Sequence, residues 1–445
     1  MKLSRLVPLA LALLSAPLAA QALGESFSSD EAERSAAKTG IAIRAAKILT
    51  SARKGEQVID HGVVLVKQGK IEALGPEDEI EIPTGYEVVD VGDRWIIPGM
   101  IELHCHVAAG NLFTEGNEIN DMIYLANPGL RVRTGVIPNH KLLRRGVAGG
   151  VTTVLYIPGS GTNMGGQGVL LKIGYDRYEE MELRQPGSLK LAQAGNPESW
   201  GPQQGRSFQN WHTRNMFQRG IAYAKRWEAF ERGEGPEPEM DIQLEIFRDL
   251  HAKRAPVSTH TQWYQVVMMT ILMVKVELGL NVFIDHGTFA GFKAAGLAEE
   301  HGVAAIIGPR SVARSFNFAP YETFDSDGKV LGICAEYQKR GHTAIGFNTD
   351  CIDNGAFGPA QEELSLQAAM AVRYGLENFD LEALRGLTII PAAAVGLADR
   401  IGSLEPGKDA DLVILDGDPA DPRTMVELVY TDGRLVYDAE VERLW

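Results

Sequence analysis

The stretch IELHCHV, residues 101–107, carries two histidines one residue apart in an otherwise apolar run. A short apolar run of this kind is typical of a buried β-strand. Side chains at positions i and i+2 of a strand point to the same side, so His104 and His106 should project together. Two neighbouring neutral imidazoles suit a divalent transition metal such as Zn²⁺. The stretch therefore suggests a strand that ends at a metal site.

Further short apolar runs follow, and they alternate with segments of helical length. The runs are residues 150–159, 188–195, 256–262, 281–287, 303–309 and 343–350. Helices are predicted between them, for example at 263–279 and 289–301. Alternating strands and helices indicate an α/β protein with a parallel sheet. About eight strands in roughly 300 residues suit a (β/α)8 TIM-like barrel, with a doubly wound sheet as the alternative.

Polar side chains close three of the later runs. His260 ends PVSTH, His286 ends NVFIDH, and Asp350 ends TAIGFNTD. Barrel enzymes place their catalytic groups at the C-terminal ends of the strands. Together with the first pair, four histidines and one aspartate are predicted to converge at one mouth of the barrel.

Both ends of the chain are rich in β-type runs with turn residues between them. IAIRAAKILT near the start and MVELVYTDGRLVYDAE near the end are examples, and Asp432-Gly433 is a hairpin signal. We expect antiparallel strands here, forming a small β-sandwich from residues 38–97 and 403–445. The catalytic barrel would then span 98–402. Residues 196–241 are predicted to be a long, partly helical insertion, and such insertions often carry function.

The first residues are predicted to be a targeting segment. Residues 1–22 have a basic start, an apolar run and an Ala20-Gln21-Ala22 ending, which indicates a secretory signal cleaved after Ala22. A membrane anchor is the alternative, but the apolar run is short for a span. Residues 23–37 are small and polar, as in a flexible leader. The expected product is exported, periplasmic or secreted, without stable membrane insertion.

The composition limits the classes of molecule that the protein is expected to bind. The chain has 445 residues and a formal net charge of −15, and an acidic surface argues against binding to nucleic acid. The three cysteines, Cys105, Cys334 and Cys351, lack metal-type spacing, and a protein of this size needs no disulfide framework. Strands one and eight are neighbours in a closed barrel, so Cys105 and Cys351 could lie close together. A homo-oligomer, most simply an isologous dimer, is the expected assembly.

The motifs resemble those of a known family. IIPGMIELHCH is similar to the first-strand motif of the amidohydrolase superfamily, with Glu102 where aspartate is more usual. GVTTV, the later strand-end residues and GSLEPGKDADLVILD match in the same order, over roughly residues 40–440. NMGGQGVLLK and LKLAQAGNP resemble the imidazolonepropionase-related branch of secreted hydrolases, which includes dipeptidases that act near proline or basic residues.

The resemblance implies a ligand set. His104 and His106 would bind the more buried ion, and His260 and His286 the second. Asp350 would ligate metal and act as the general base on the hydrolytic water.

Members with two ions use a bridging lysine carboxylated by CO₂. Lys190 in SLKLAQAG is the better match and Lys172 in GVLLKIG the rival. The alternative to two divalent ions is a single ion, with Lys190 as an unmodified strand lysine. The ions are expected to be Zn²⁺.

The implied activity is hydrolysis of a peptide-like or N-acyl amide bond in a small-molecule or short-peptide substrate. A deaminase or a cyclic-amide (imidazolone or lactam) hydrolase is the alternative. A non-catalytic binding protein on the same barrel is disfavoured, because all five expected ligand positions are filled. His212, Arg214 and Tyr264 are candidates for binding a substrate carboxylate, Arg214 through a bidentate fork, although surface packing is an equal alternative.

Overall fold

The computed structural model describes residues 40–107, 121–193, 196–199, 204–309, 323–324, 330–351 and 361–444. Residues Thr39–Trp445 form one compact unit. The predicted signal peptide (1–22) and leader (23–37) lie outside the described residues. No helix in the described ranges has the length and apolar character of a membrane span.

Eight strands form the ring of a barrel. They are β6 Met100–Cys105, β7 Val151–Tyr156, β8 Met164–Lys172, β9 Glu182–Ala192, β10 Val257–His260, β11 Ile284–His286, β12 Ala305–Ile307 and β15 Ile345–Phe347. A parallel bridge between Val257 and Val282 joins β10 to β11. A second bridge, between Cys105 and Cys351, closes the ring, so these two buried cysteines are neighbours as expected. The fold is TIM-barrel-like.

One strand departs from the predicted all-parallel pattern. β8 pairs antiparallel with both β7 and β9. A parallel pair needs a crossover of a dozen or more residues, usually a helix. Only residues 157–163 separate β7 from β8, so the chain turns back instead. The expectation of a uniform β/α alternation was therefore wrong at this position.

Helices cover the barrel between the strands. The α-helices are Lys141–Ala148, Tyr178–Met181, Arg206–Glu231, Ile246–His251, Tyr264–Thr270, Ala295–Glu300, Ile333–Lys339, Leu364–Arg373, Glu382–Leu387 and Ile389–Ala394. Shorter 3-10 turns are Val132–Gly135, Asn196–Ser199, Gly291–Ala294 and Gln361–Glu363. The helix predicted at 263–279 is an α-helix that continues as a π-helix over Ile271–Glu277. The insertion at 196–241 contains the long helix Arg206–Glu231.

The two ends of the chain build a second sheet. Its strands are β1 Gly40–Leu49, β2 Val58–Lys67, β3 Lys70–Pro76, β4 Tyr86–Asp90, β5 Trp95–Pro98, β16 Leu412–Leu415, β17 Val426–Thr431 and β18 Arg434–Asp438. The order is β18-β17-β16-β5-β1-β2-β3, with β4 also on β1. A further short pair is β13 Thr323–Phe324 with β14 Val330–Leu331. The described end strands form a single sheet, so a sandwich of two packed sheets stays a prediction.

Two pairings in this sheet correct the antiparallel expectation. β4 and β5 both run parallel to β1, along its first and second halves respectively. β5 then pairs antiparallel with β16, which joins the two ends of the chain. The predicted hairpin is present, since β17 and β18 flank Asp432 and Gly433, both with positive φ angles of 48° and 71°.

A buried ionic cluster joins the barrel to this sheet. The ammonium of Lys172, on β8, donates to Asp409 Oδ2 at 2.6 Å, to Asp411 Oδ1 at 3.1 Å and to Asp432. Burial opposes the charge on Lys172, but the three carboxylates outweigh it and raise the lysine's pKa. The C-terminal GKDAD motif thus fixes the sheet against the barrel.

Candidate metal centre

Glu102 ties together the two segments that carry the first and last predicted ligands. Its carboxylate accepts the backbone N–H of His104 at 2.8 Å, and the N–H and hydroxyl of Thr349 at 2.8 and 2.7 Å. Burial raises the pKa of Glu102 to about 7 despite these bonds. One oxygen of Glu102 accepts from β6 and the other from Thr349, the residue before Asp350. Glu102 therefore links the two segments through hydrogen bonds.

Backbone carbonyls orient two of the imidazoles. His106 Nδ1–H donates to the carbonyl of Ile157 at 2.9 Å, and His286 Nδ1–H donates to that of Gly308 at 2.8 Å. A hydrogen bond at one ring nitrogen fixes the tautomer and leaves the other nitrogen as a lone-pair donor. In both rings the free nitrogen is Nε2, which points toward the other predicted ligands.

The five predicted histidine and aspartate ligands fall into two overlapping triads. Asp350 Oδ1 lies 3.3 Å from His104 Nε2 and 3.5 Å from His106 Nε2. His286 Nε2 lies 2.9 Å from His260 Nδ1, and the rings of His286 and His104 are 4.6 Å apart. Within each triad the ligand atoms lie within 4.8 Å of one another. His104 belongs to both triads, whereas the family resemblance implied that it binds one ion.

The protonation states fit a divalent cation. Burial lowers the pKa of His104, His260 and His286, which keeps these imidazoles neutral at pH 7. Burial opposes ionisation of Asp350, but the surrounding imidazoles and Lys190 lower its pKa overall. Neutral nitrogens and an ionised carboxylate facing one another are the donor set that Zn²⁺ and similar ions prefer.

Lys190 lies in this centre and Lys172 does not. Lys190 is fully buried on β9, and its ammonium donates to His104 Nε2 at 3.1 Å. Burial lowers the pKa of Lys190 to about 8, and the negative charges of Asp285 and Asp350 offset only part of this decrease. Lys172 lies in the aspartate cluster at the end sheet instead. Of the two lysines that the sequence left open, only Lys190 lies beside the predicted ligands.

Sequence reasoning missed one acidic residue of the site. The Asp285 carboxylate is fully buried, and its Oδ2 lies 3.5 Å from His104 Nδ1. Burial raises its pKa, and the charge of Lys190 partly offsets this. An aspartate next to a strand-end histidine, inside the apolar run NVFIDHG, was the available signal.

The three residues proposed for substrate recognition, His212, Arg214 and Tyr264, have different surroundings in the structure. Arg214, on the helix Arg206–Glu231, already forms a fork with Glu277, at 3.0 Å from Nε and 2.8 Å from Nη2. His212, half-buried, has its Nδ1 3.0 Å from Asn163 Oδ1. Tyr264 is the first residue of the helix that follows β10. The fork expected for a substrate carboxylate is thus made to Glu277 in the structure.

The chain resembles known proteins in both sequence and fold. A model described as the amidohydrolase family matches residues 276–437. The chain belongs to the amidohydrolase superfamily. It lies in the imidazolonepropionase-related branch, and it is a hydrolase of carbon–nitrogen bonds.

Relatives of this amidohydrolase align over most of its length. The imidazolonepropionase of Sphingopyxis alaskensis is 26% identical, covering 87% of this chain and 93% of the relative. That of Brucella anthropi is also 26% identical, over 89% and 96% of the two chains. The solved structure of an amidohydrolase from Thermotoga maritima is 28% identical, with a TM-score of 0.75, covering 89% of this chain and all of that one.

Proposed function

We propose that this amidohydrolase is exported and hydrolyses a peptide-like or N-acyl amide bond in a small-molecule or short-peptide substrate. The observation that carries the proposal is the position of Lys190. Its amine lies 3.1 Å from His104, the imidazole shared by both triads. Two dications would repel an ammonium there, whereas a carboxylated lysine is an anion that can bridge them. A centre with two ions, proposed to be zinc, follows from this arrangement.

The chemistry rests on the residues around that centre. His104, His106 and Asp350 would hold one ion and His260 and His286 the other, with Lys190 between. When bound, such ions lower the pKa of water and polarise a carbonyl group.

Asp350 is the proposed general base. Its lowered pKa keeps it ionised, and 28% of its side chain remains exposed. It would accept the proton of the attacking water and pass it to the leaving amine nitrogen as the C–N bond breaks.

A second candidate function is opening of a cyclic amide such as an imidazolone or a lactam. It is favoured by the relatives, because the two curated proteins compared above are named imidazolonepropionase. The same base and the same carbonyl activation would serve either bond. Deamination is a third outcome of the same chemistry. The product therefore separates the candidates.

The test is a mass-spectrometric substrate screen. Zinc-loaded protein starting at Leu23 is incubated with pooled dipeptides, N-acyl amino acids, lactams and an imidazolone. Two fragments indicate amide cleavage, addition of one water without splitting indicates ring opening, and released ammonia indicates deamination. Ring opening alone would replace the first proposal with the second.

Asp350→Asn is the blank, and removal of a general base should lower kcat by about 10²- to 10⁴-fold. The matched control is Asp399→Asn, since the side chain of Asp399 is 96% exposed in an ion pair with Arg53. This control should keep full activity. Equal turnover by the Asp350 variant would refute the assigned role. N-terminal sequencing of the secreted product tests export separately, with Leu23 expected as the first residue.

A further inference from the structure

Two buried polar groups, the carboxylate of Asp285 and the Nδ1 nitrogen of His104, face each other in the centre. Among the described residues neither oxygen of Asp285 makes a hydrogen bond of ordinary geometry, although the backbone of Thr259 lies close enough to lower the pKa of Asp285, and His104 Nδ1 makes no hydrogen bond. Both side chains are fully buried, and Asp285 Oδ2 is 3.5 Å from that nitrogen. Leaving a buried polar group unpaired destabilises the folded state, and a charged group does so more strongly. A buried carboxylate with so few partners lowers the stability of the fold. Its presence here therefore indicates a role in the metal centre.

The backbone explains how Asp285 and His286, which are adjacent in sequence, both reach the centre. Alternation along β11 would send Asp285 and His286 to opposite sides of the strand. His286 instead has a φ angle of 70°, in the left-handed region, and Gly287 follows with 59°. This turn of the backbone lets neighbouring side chains point to the same place. A non-glycine residue in that conformation is uncommon, and such positions cluster at functional sites.

The imidazoles of His106 and His286 each have a hydrogen-bond acceptor that His104 lacks in ordinary geometry. The outer nitrogens of His106 and His286 each donate to a backbone carbonyl. Among the described residues the outer nitrogen of His104, Nδ1, makes no hydrogen bond, and the Asp285 carboxylate lies 3.5 Å from it. A shift of about half an ångström would bring the pair to ordinary N–H···O length.

We propose that Asp285 is a positioning residue that accepts the Nδ1–H of His104 and so turns His104 Nε2 toward Lys190 and Asp350. The inference rests on the proposed metal centre. Because His104 belongs to both triads, a loss of orientation should weaken binding at both. Asp285 has no assigned contact with substrate, so its effect should appear first in metal binding.

The experiment measures zinc affinity by equilibrium dialysis with a competing chelator, on full-length mature protein. Loss of a carboxylate partner of a ligating histidine typically weakens metal affinity by about 10- to 100-fold. We expect a loss in this range for Asp285→Asn, which keeps the shape of the side chain, and a larger one for Asp285→Ala. Cobalt-substituted protein should show a changed visible absorption spectrum in both variants, because the ligand nitrogen is reoriented.

Asp411→Asn is the matched control. Asp411 is also a buried aspartate with an unpaired oxygen, but it contacts Lys172 at the end sheet. This control should be less stable to denaturant and keep the zinc affinity and cobalt spectrum of the parent protein. An equal loss of zinc in both asparagine variants would mean general damage and overturn the proposal.

Unchanged affinity in Asp285→Asn would also overturn the proposal, even if Asp285→Ala failed to fold. A parent protein that binds zinc tightly yet cleaves no amide would refute the proposed function alone.

Discussion

The pKa of Lys190 gives a quantitative prediction about how the bridging group forms. Carboxylation consumes the neutral amine, which attacks CO₂ and releases a proton. Burial lowers the pKa of this lysine from 10.5 to about 8. At pH 7 about 9% of the side chain is then neutral, against about 0.03% for an ordinary lysine. The structure thus raises the reactive fraction by roughly 300-fold.

The experiment varies the pH of a solution of metal-free protein at a fixed CO₂ pressure. Raising the pH from 6 to 7 should increase the initial rate of carboxylation about 10-fold, because the neutral fraction rises in that proportion below the pKa. Above about pH 8 the rate should level off. The assay follows the carbamate carbon by NMR with ¹³C-labelled CO₂.

The chain contains its own control in Lys172, which is also buried but whose pKa is raised by three aspartates. Lys172→Met should keep the NMR signal and Lys190→Met should lose it. A rate that keeps rising toward pH 10, or a signal that survives in Lys190→Met, would refute the reasoning.

Two further predictions concern stability. Glu102→Gln should lower the free energy of unfolding by about 1–3 kcal/mol, because an amide cannot accept all the hydrogen bonds donated by His104 and Thr349. Chemical denaturation measures this change. An unchanged denaturation midpoint would contradict the role of Glu102 in joining the two segments. Lys172→Met should cost about 3–5 kcal/mol, since it leaves buried carboxylates without their cation. Thermal unfolding tests it, and the folded fraction should bind zinc like the parent protein.

Much of the centre follows from sequence because its ligands end strands. His260 and His286 each close a short apolar run, and the carboxyl ends of barrel strands meet at one mouth. The structure accordingly brings both next to His104. The likeness to a family added Lys190, which no pattern of apolar residues could distinguish from Lys172.

The remaining features depend on backbone geometry that the pattern does not encode. On a regular strand Asp285 and His286 would point to opposite sides, and the left-handed conformation at His286 lets both side chains reach the centre. The reversal of β8 depends on the length of a connection rather than on hydrophobic periodicity. Arg214 was placed by its distance along the sequence, which cannot show that Glu277 lies across from it.

The pairing of β5 with β16 has a consequence for how the chain is made. Residues Trp95–Pro98 leave the ribosome early, but their partner Leu412–Leu415 emerges only after the whole barrel. Until then one edge of the nascent sheet has free N–H and C=O groups, which invite pairing with another chain. Premature termination before Leu412 should therefore yield aggregates rather than a shortened, inactive barrel. Formation of the complete sheet therefore depends on the C-terminal strands, which are synthesised after the barrel.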